Sequence, residues 1–177
     1  MLNQGTPSES LPESTPNQST GIAETVHESE FTPKRTICIP VDESKISIQT
    51  ITWAIDNLID PKNDQVILLN VREDIQTGIL AVQSFYDQLR NELKQNSHNL
   101  LRSRAKMFIL KNIHVRAVSL CGNPKIELEH KINELKPTMV LMGKRGMNTI
   151  QSLLLGSVSD HLLHHVKVPI SILPSFN

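Results

Sequence analysis

The sequence predicts an α/β protein whose doubly wound, five-stranded parallel sheet lies between two layers of helices. Short apolar runs alternate with longer stretches in which apolar residues recur every three or four positions, the strand–helix alternation of parallel sheets. The run 66–71 is apolar at almost every position, as in a strand covered by helices on both faces. Gly122-Asn123-Pro124 and Pro137 separate successive runs, as expected of loops between elements.

The predicted elements follow one another without an internal repeat. The strands are expected at 36–41, 66–71, 113–118, 138–142 and 168–173. The helices are expected at about 48–58, 82–110, 124–135 and 157–165. In the second helix we expect an apolar stripe and a break or kink at 96–99; the stripe is Val82, Phe85, Leu89 and Leu93.

The first 33 residues differ in composition from the rest of the chain. They hold ten Ser or Thr, four Pro and five Glu, with no Lys or Arg. A segment of this kind buries too little apolar surface to offset the entropy of ordering its backbone. We therefore predict a disordered tail at 1–33 and one folded domain at 34–177.

The charge and composition exclude several classes of protein. The net charge is zero, and without the tail 18 basic side chains face 13 acidic ones. This excess is mild, the cations are scattered and aromatic residues make up only 3%, which argues against a nucleic-acid partner. No apolar run approaches the ~18 residues that span a bilayer, and the first residues do not resemble a signal peptide. We expect a cytoplasmic protein with no membrane partner, in which Cys38 and Cys121 are buried, reduced thiols.

Two glycines follow the fourth predicted strand directly. Ligands of doubly wound sheets bind at the carboxyl ends of strands, where the winding direction reverses. Gly143 and Gly146 have the spacing Gly-x-x-Gly, and without Cβ atoms their backbone N–H groups can face a phosphate. An ordinary tight turn has the same spacing, so the pair by itself leaves both interpretations open.

A second motif, Gly156-Ser157-Val158-Ser159, opens the last predicted helix. Ser157 is a candidate N-cap and Ser159 falls in the first turn, where the unpaired N–H groups and the helix dipole attract phosphate. The two hydroxyls are expected to add donors. Simple capping, worth about 1 kcal/mol, is the alternative. The two motifs together, with a strand before and a helix after, favour a polyphosphate site.

The combined pattern resembles the universal stress protein family in its ATP-binding branch. That pattern is Gly, two residues, Gly, nine residues, Gly, then Ser or Thr, and it is matched by Gly143, Gly146, Gly156 and Ser157. The resemblance spans 35–174 and includes further motifs: Pro40-Val41-Asp42, Ile67-Leu68-Leu69-Asn70-Val71, Gly122-Asn123-Pro124 and Val168-Pro169-Ile170. It implies a Rossmann-like, adenine nucleotide alpha hydrolase-like fold that binds ATP with Mg²⁺.

The resemblance also implies a role for each site residue. The adenosine end would be lined by Pro40, Val41, Asp42, Val71 and Met142. The ribose and phosphates would be held by Gly143, Gly146, Gly156, Ser157, Val158 and Ser159. Asp42 would lie near the ribose, and the backbone of Val71 would contact the adenine edge. Core packing is the alternative for Val71 and Met142, and capping of the next helix is the alternative for Asp42.

The motifs of common nucleotide-using enzymes are missing from the sequence. It has no Gly-x-x-x-x-Gly-Lys-Ser/Thr loop, no Gly-x-Gly-x-x-Gly fingerprint after the first strand and no Gly-x-Ser-x-Gly elbow. No oriented nucleophile for phosphoryl transfer can be named, so no catalytic residue is predicted. We expect an ATP-binding regulatory protein with an unidentified protein partner. A slow ATPase or transferase and a scaffold with an empty pocket are the alternatives, and the glycines argue against the scaffold.

Two further surfaces bear on partners and metals. The resemblance implies a homodimer through the last strand, from Val168 to Leu173, which is otherwise an exposed apolar edge. His161 and His165, four residues apart on the last helix, could share a metal. No Cys or carboxylate at a suitable spacing completes that site, because Asp160 faces another direction. We therefore expect a solvated or partner-facing surface there and no metal.

Overall fold

The computed structural model describes residues 23–28, 31–75, 83–144 and 155–174, which form a three-layer α/β fold with a mostly parallel sheet. The strands are β1 (Glu24–His27), β2 (Arg35–Pro40), β3 (Asp64–Arg72), β4 (His114–Cys121), β5 (Met139–Gly143) and β6 (Ile170–Leu173). The helices are α1 (Lys45–Asn57), α2 (Gln83–Ile109), α3 (Pro124–Leu135) and α4 (Ser157–His165). The strand order across the sheet is β1-β4-β3-β2-β5-β6.

The five predicted parallel strands are confirmed as β2 to β6. β2 pairs with β3 on one side and with β5 on the other, β4 extends the sheet beyond β3, and β6 extends it beyond β5. The chain therefore winds outward from β2 in one direction and then returns to wind in the other. The switch point lies between β2 and β5, so their carboxyl ends are the expected place for a ligand.

A sixth strand, β1, lies in the segment predicted to be a disordered tail. It runs antiparallel to β4 and contains a bulge, so the sheet has six strands where the sequence predicted five. The prediction of disorder is wrong for residues 24–27. Val26 packs against the core, and the carboxylate of Glu24 lies 2.9 Å from Nζ of Lys94 on α2.

Composition averaged over 33 residues conceals this strand. A four-residue segment is ordered here because the open edge of β4 supplies backbone partners, which no local pattern reveals. Residues 1–22 and 29–30 of the predicted tail lie outside the described residues, so the prediction stays untested there.

The core has one apolar layer on each face of the sheet. The layer under α1 and α2 contains Ile37, Ile39, Ile51, Val66, Leu68, Leu101 and Phe108. The layer under α3 and α4 contains Cys38, Ile67, Leu69, Val118, Leu128, Ile132, Val140 and Leu162. Alternate residues of β2 and β3 divide between the two layers, as the two-residue period of a strand requires.

Cys38 and Cys121 are both free and buried as predicted, and burial raises the pKa of each thiol.

The long helix α2 differs from its prediction in two ways. It is continuous from Gln83 to Ile109, so the predicted break at 96–99 is wrong. The predicted stripe is wrong at Phe85, which is 61% exposed, whereas Leu89 and Leu93 are half-buried. The buried residues of α2 are Ser97, Leu101, Ala105 and Phe108. Only the C-terminal part of α2 packs on the sheet; Val82 lies outside the described residues.

Within the described part of the chain, no helix combines the length and the apolar character needed to cross a membrane.

Candidate functional site

A cleft of about 350 Å³ opens at the carboxyl ends of β2 and β5, between α1, α3 and α4. Its volume falls within the range of small-molecule sites, roughly 300–1,000 Å³. Ten of the eleven predicted site residues line it: Pro40, Val41, Asp42, Val71, Met142, Gly143, Gly156, Ser157, Val158 and Ser159. Gly146 lies outside the described residues.

The turn from β2 into α1 forms one wall of the cleft. Val41 N–H still donates to β3, at 2.8 Å from the carbonyl oxygen of Leu69. Asp42 Oδ1 then accepts hydrogen bonds from the backbone N–H of Ser44, at 3.0 Å, and from its hydroxyl. Ser44 is the N-cap of α1 and accepts from the N–H of Ser47. Asp42 therefore shapes the turn before the helix, while the capping role considered for it belongs to Ser44.

A buried polar network holds this turn from behind. Asn70 on β3 donates from Nδ2 to the carbonyl oxygen of Val41 at 2.8 Å. Its Oδ1 accepts from the hydroxyl of Ser97, which lies 2.7 Å from the hydroxyl of Ser119. The resemblance includes Asn70 in a motif but implies no role for it. Its position as the single polar residue in the apolar run 66–71 was the available signal, since a polar group in a buried strand needs fixed partners.

Gly143, at the end of β5, is glycine for a reason that the sequence did not show. A Cβ at this position would lie 2.5 Å from Ile46 Cγ1 and 2.5 Å from Thr50 Oγ1. The end of β5 therefore packs against the first turns of α1 too closely for any side chain. Gly143 lines the cleft, but close packing between strand and helix is enough to require glycine there.

The N-terminus of α4 forms the opposite wall of the cleft. The N-cap is Gly156 and not Ser157 as predicted, and it makes no side-chain capping bond. Ser159 Oγ donates to the carbonyl oxygen of Gly156 at 2.9 Å. The hydroxyl hydrogen is therefore engaged within α4, whereas the sequence predicts a donor to the ligand at this position. By contrast, α1 and α3 are capped by the side chains of Ser44 and Asn123. The first-turn N–H groups of α4 thus lie beside the cleft without a capping side chain.

The apolar part of the lining belongs partly to the core. Met142 is 8% exposed and is a member of the layer under α3 and α4, and Val71 packs against the same layer. Both residues also line the cleft, together with Leu69 and Leu128. Core packing and contact with a ligand are therefore compatible for Val71 and Met142.

His161 and His165 do not line the cleft, and they have a neighbour that the sequence analysis missed. Nε2 of His161 lies 2.7 Å from Oε2 of Glu129 on α3. The expectation that no carboxylate accompanies the two histidines is wrong, because Glu129 comes from another helix 32 residues earlier in the chain.

Comparison with known proteins is consistent with this fold. The model of the universal stress protein family matches residues 34–174. Universal stress protein YxiE of Bacillus subtilis is 25% identical over 141 residues, covering 76% of this chain and 95% of that protein. The solved structure of protein MJ0577 of Methanocaldococcus jannaschii superposes with a TM-score of 0.68 at 21% identity, covering 82% and 99% of the two chains.

A second solved structure is the universal stress protein family protein At3g01520 of Arabidopsis thaliana, which has AMP bound. It superposes with a TM-score of 0.62 at 17% identity and covers 80% of this chain and 92% of that one. The family match extends over most of the chain and includes every described strand except β1. This chain belongs to the universal stress protein family.

Proposed function

We propose that this chain is a regulatory protein of the stress response that binds ATP in the cleft between β2, β5 and α4. One observation carries the proposal: a cleft with an apolar side and a helix N-terminus without a capping side chain lies at the switch point of the sheet. An adenosine group suits the apolar side, and a phosphate chain suits the N–H groups of α4. The AMP bound to the Arabidopsis relative supports an adenine nucleotide as the ligand.

The chemistry of the cleft also suits the magnesium that accompanies ATP. Mg²⁺ keeps several water ligands and binds through phosphate oxygens with one or two carboxylates. Among the described residues that line the cleft, Asp42 is the one carboxylate. We propose that Mg²⁺ enters with the phosphates and that Asp42 contributes at most one protein ligand.

We propose binding, with slow hydrolysis at most, as the activity of this cleft. Fast phosphoryl transfer needs an oriented nucleophile and charge stabilisation at the γ-phosphate. Asp42 is the one side chain of the described lining that could serve as a general base, and its Oδ1 is occupied by two hydrogen bonds from Ser44. The activity that follows from ATP binding would then be a change of affinity for a protein partner.

We also propose that the chain forms a homodimer through β6. This strand lies at the edge of the sheet, as predicted, and within the described residues its backbone pairs with β5 alone. Residues 170–172 are half-buried, which leaves apolar surface for a second copy. Light scattering at micromolar concentration is the measurement, and a monomer there would contradict this proposal.

Gly156 offers the sharpest test of the nucleotide site. Among the described residues, a Cβ at Gly156 would approach only Ser159 Oγ, at 3.6 Å, and the backbone φ of −66° suits any residue. A substitution there is therefore compatible with the fold, so that a loss of affinity would report contact with the ligand. We expect Gly156→Val to weaken ATP binding by about tenfold or more, equivalent to ~1.4 kcal/mol, in a calorimetric titration.

The matched control is His164→Val, which places the same side chain on an exposed position of α4 away from the lining. We expect it to bind ATP like the wild type, and both variants to unfold at nearly the wild-type temperature. Mass analysis of nucleotide that co-purifies with the wild type identifies the natural ligand. Equal ATP affinity of Gly156→Val and the wild type would refute the placement of the phosphates.

A further inference from the structure

A cluster of three potential metal ligands joins α3 to α4 outside the cleft. Glu129 on α3 and His161 and His165 on α4 each offer one ligand atom, and these atoms all lie within 4.8 Å of one another. We infer that the three residues form a binding site for a late first-row divalent cation of the Zn²⁺ type.

His165 is held in the tautomer that a metal needs. Its Nδ1 lies 2.7 Å from the carbonyl oxygen of His161. A carbonyl oxygen can only accept, so Nδ1 carries the hydrogen and Nε2 of the neutral ring keeps its lone pair. Metal-bound histidines usually donate their other ring N–H to a carbonyl or carboxylate in this way, which fixes the ring.

His161 and Glu129 are held by each other. The 2.7 Å contact between Nε2 and Oε2 places one proton between two groups that would both be metal ligands. A cation bound there takes the place of that proton, which is released to solvent or moves to Nδ1 of His161. The side chains are only 17% and 22% exposed, so the pair is already ordered before a metal arrives.

Small side-chain rotations would complete the geometry. The rings of His161 and His165 are stacked with their centroids 4.0 Å apart. Ligand atoms around a tetrahedral Zn²⁺ at ~2.0–2.1 Å lie roughly 3.4 Å apart. The longest present separation, at most 4.8 Å, therefore needs to shrink by up to about 1.4 Å, and the 2.7 Å contact between His161 and Glu129 needs to widen by about 0.7 Å. The helices beneath are fixed relative to each other, because Asn133 on α3 bonds the carbonyl oxygen of His165 and the N–H of Lys167.

The set of donors selects the class of metal. Two imidazoles and one carboxylate suit Zn²⁺ and its neighbours, whereas Mg²⁺ and Ca²⁺ prefer ligands that are all oxygen. Three protein ligands leave a fourth position for water. The site would tie together two helices that both contribute to the cleft, α3 through Leu128 and α4 through its first turn.

The experiment titrates ZnCl₂ into the full-length, untagged chain after removal of metals with EDTA. We expect one equivalent to bind, and Co²⁺ used in its place to give the visible absorption of a tetrahedral site. His165→Ala and Glu129→Gln should each weaken Zn²⁺ binding by about tenfold or more. His165 is exposed, so its removal leaves the fold intact.

His164→Ala is the matched control. His164 is exposed on the same helix and its Nδ1 also bonds a backbone carbonyl, that of Asp160 at 2.8 Å, but it is not part of the cluster. We expect this variant to bind Zn²⁺ like the wild type. Zn²⁺ should raise the unfolding temperature of both by the same amount and that of His165→Ala by clearly less at the same Zn²⁺ concentration. Absence of stoichiometric binding by the wild type, or equal weakening by His164→Ala and His165→Ala, would overturn the inference.

Discussion

The two ends of the sheet differ in how fully their carboxylates are buried and paired. At the amino end, the carboxylate of Asp64 is 0% exposed and meets the guanidinium of Arg35 through two hydrogen bonds, of 2.7 and 2.5 Å. The N–H of Asp60 adds a third, of 2.7 Å. At the carboxyl end, Glu24 is 27% exposed, and Lys94 on α2 is its nearest cation at 2.9 Å.

This difference separates an end of the sheet whose charge is structural from an end that also holds a binding region. The oxygens of Asp64 are satisfied by fixed protein groups, so nothing remains for a ligand to bind. At the carboxyl end, the N-terminus of α4 has no capping side chain and the cleft is lined by partly exposed polar groups. The amino end should therefore govern stability, and the carboxyl end should govern binding at a smaller cost in stability.

The largest effect is expected at the amino end. Arg35→Met leaves the buried carboxylate of Asp64 without its main partner. In the wild type the hydrogen bonds to Asp64 raise the pKa of Arg35, which shows how closely the two groups interact. Removing one member of a buried pair typically costs ~3–5 kcal/mol. Because Arg35 is 44% exposed, we expect the free energy of unfolding to fall by about 2–3 kcal/mol in urea titrations.

Arg35→Lys is the control, since it keeps the charge but loses the bidentate hydrogen bond. Its free energy of unfolding should lie between those of the wild type and Arg35→Met. ATP affinity should stay unchanged in both variants. A loss of ATP affinity without a loss of stability would reverse the contrast between the two ends.

An effect of intermediate size on stability is expected at Gly143, where the carboxyl end of the sheet depends on close packing and not on an ion pair. Gly143→Ala places a Cβ 2.5 Å from atoms of Ile46 and Thr50, so α1 or β5 must shift. We expect a loss of about 1–3 kcal/mol in the free energy of unfolding. Gly156→Ala is the matched control and should cost much less, because its Cβ would meet no described atom closer than 3.6 Å. The interpretation of the two glycines is wrong if thermal denaturation ranks them in the opposite order.

The smallest effect is expected at Glu24. The hydrogen bond from Lys94 lowers the pKa of Glu24 below its ordinary value of 4.5. A carboxyl group with a lowered pKa stabilises the fold above its unfolded pKa and loses this contribution as the pH falls through the folded pKa. We expect Glu24→Gln to cost about 0.5 kcal/mol at neutral pH, the usual size for a partly exposed ion pair.

The difference between Glu24→Gln and the wild type should shrink as the pH falls below about 4.5 in denaturant titrations. A double-mutant cycle with Lys94→Gln isolates the pair from other effects. A stability difference that stays constant from neutral pH to pH 3 would show that the charge of Glu24 does not hold β1 in place.

Much of the fold could be predicted from the sequence because the relevant signals are local. The apolar run 66–71 identified β3, and the run that precedes Gly143 identified β5. The glycine and serine motif at 156–159 placed the start of α4 within one residue. Ten residues selected by motif and resemblance line one cleft, since the carboxyl ends of parallel strands meet at one edge of the sheet.

Other features could not be predicted in the same way. The buried face of α2 is set by where the helix lies on the sheet, and Phe85 was misassigned because an apolar residue at helical spacing does not reveal what covers it. The short segment β1 is ordered only by the edge of β4. The Gly143 backbone approaches α1 closely, which depends on the separation of two elements and on no motif.

The sequence by itself determined the order of the five parallel strands and the four helices. It also determined the end of the sheet at which a ligand is expected, because hydrophobic period and turn residues act within a few positions of each other. The tertiary structure decided which distant side chains meet. Asn70 reaches Val41 across 29 residues and Glu129 reaches His161 across 32. Such contacts depend on how the elements pack in three dimensions, and no local pattern of residues encodes that packing.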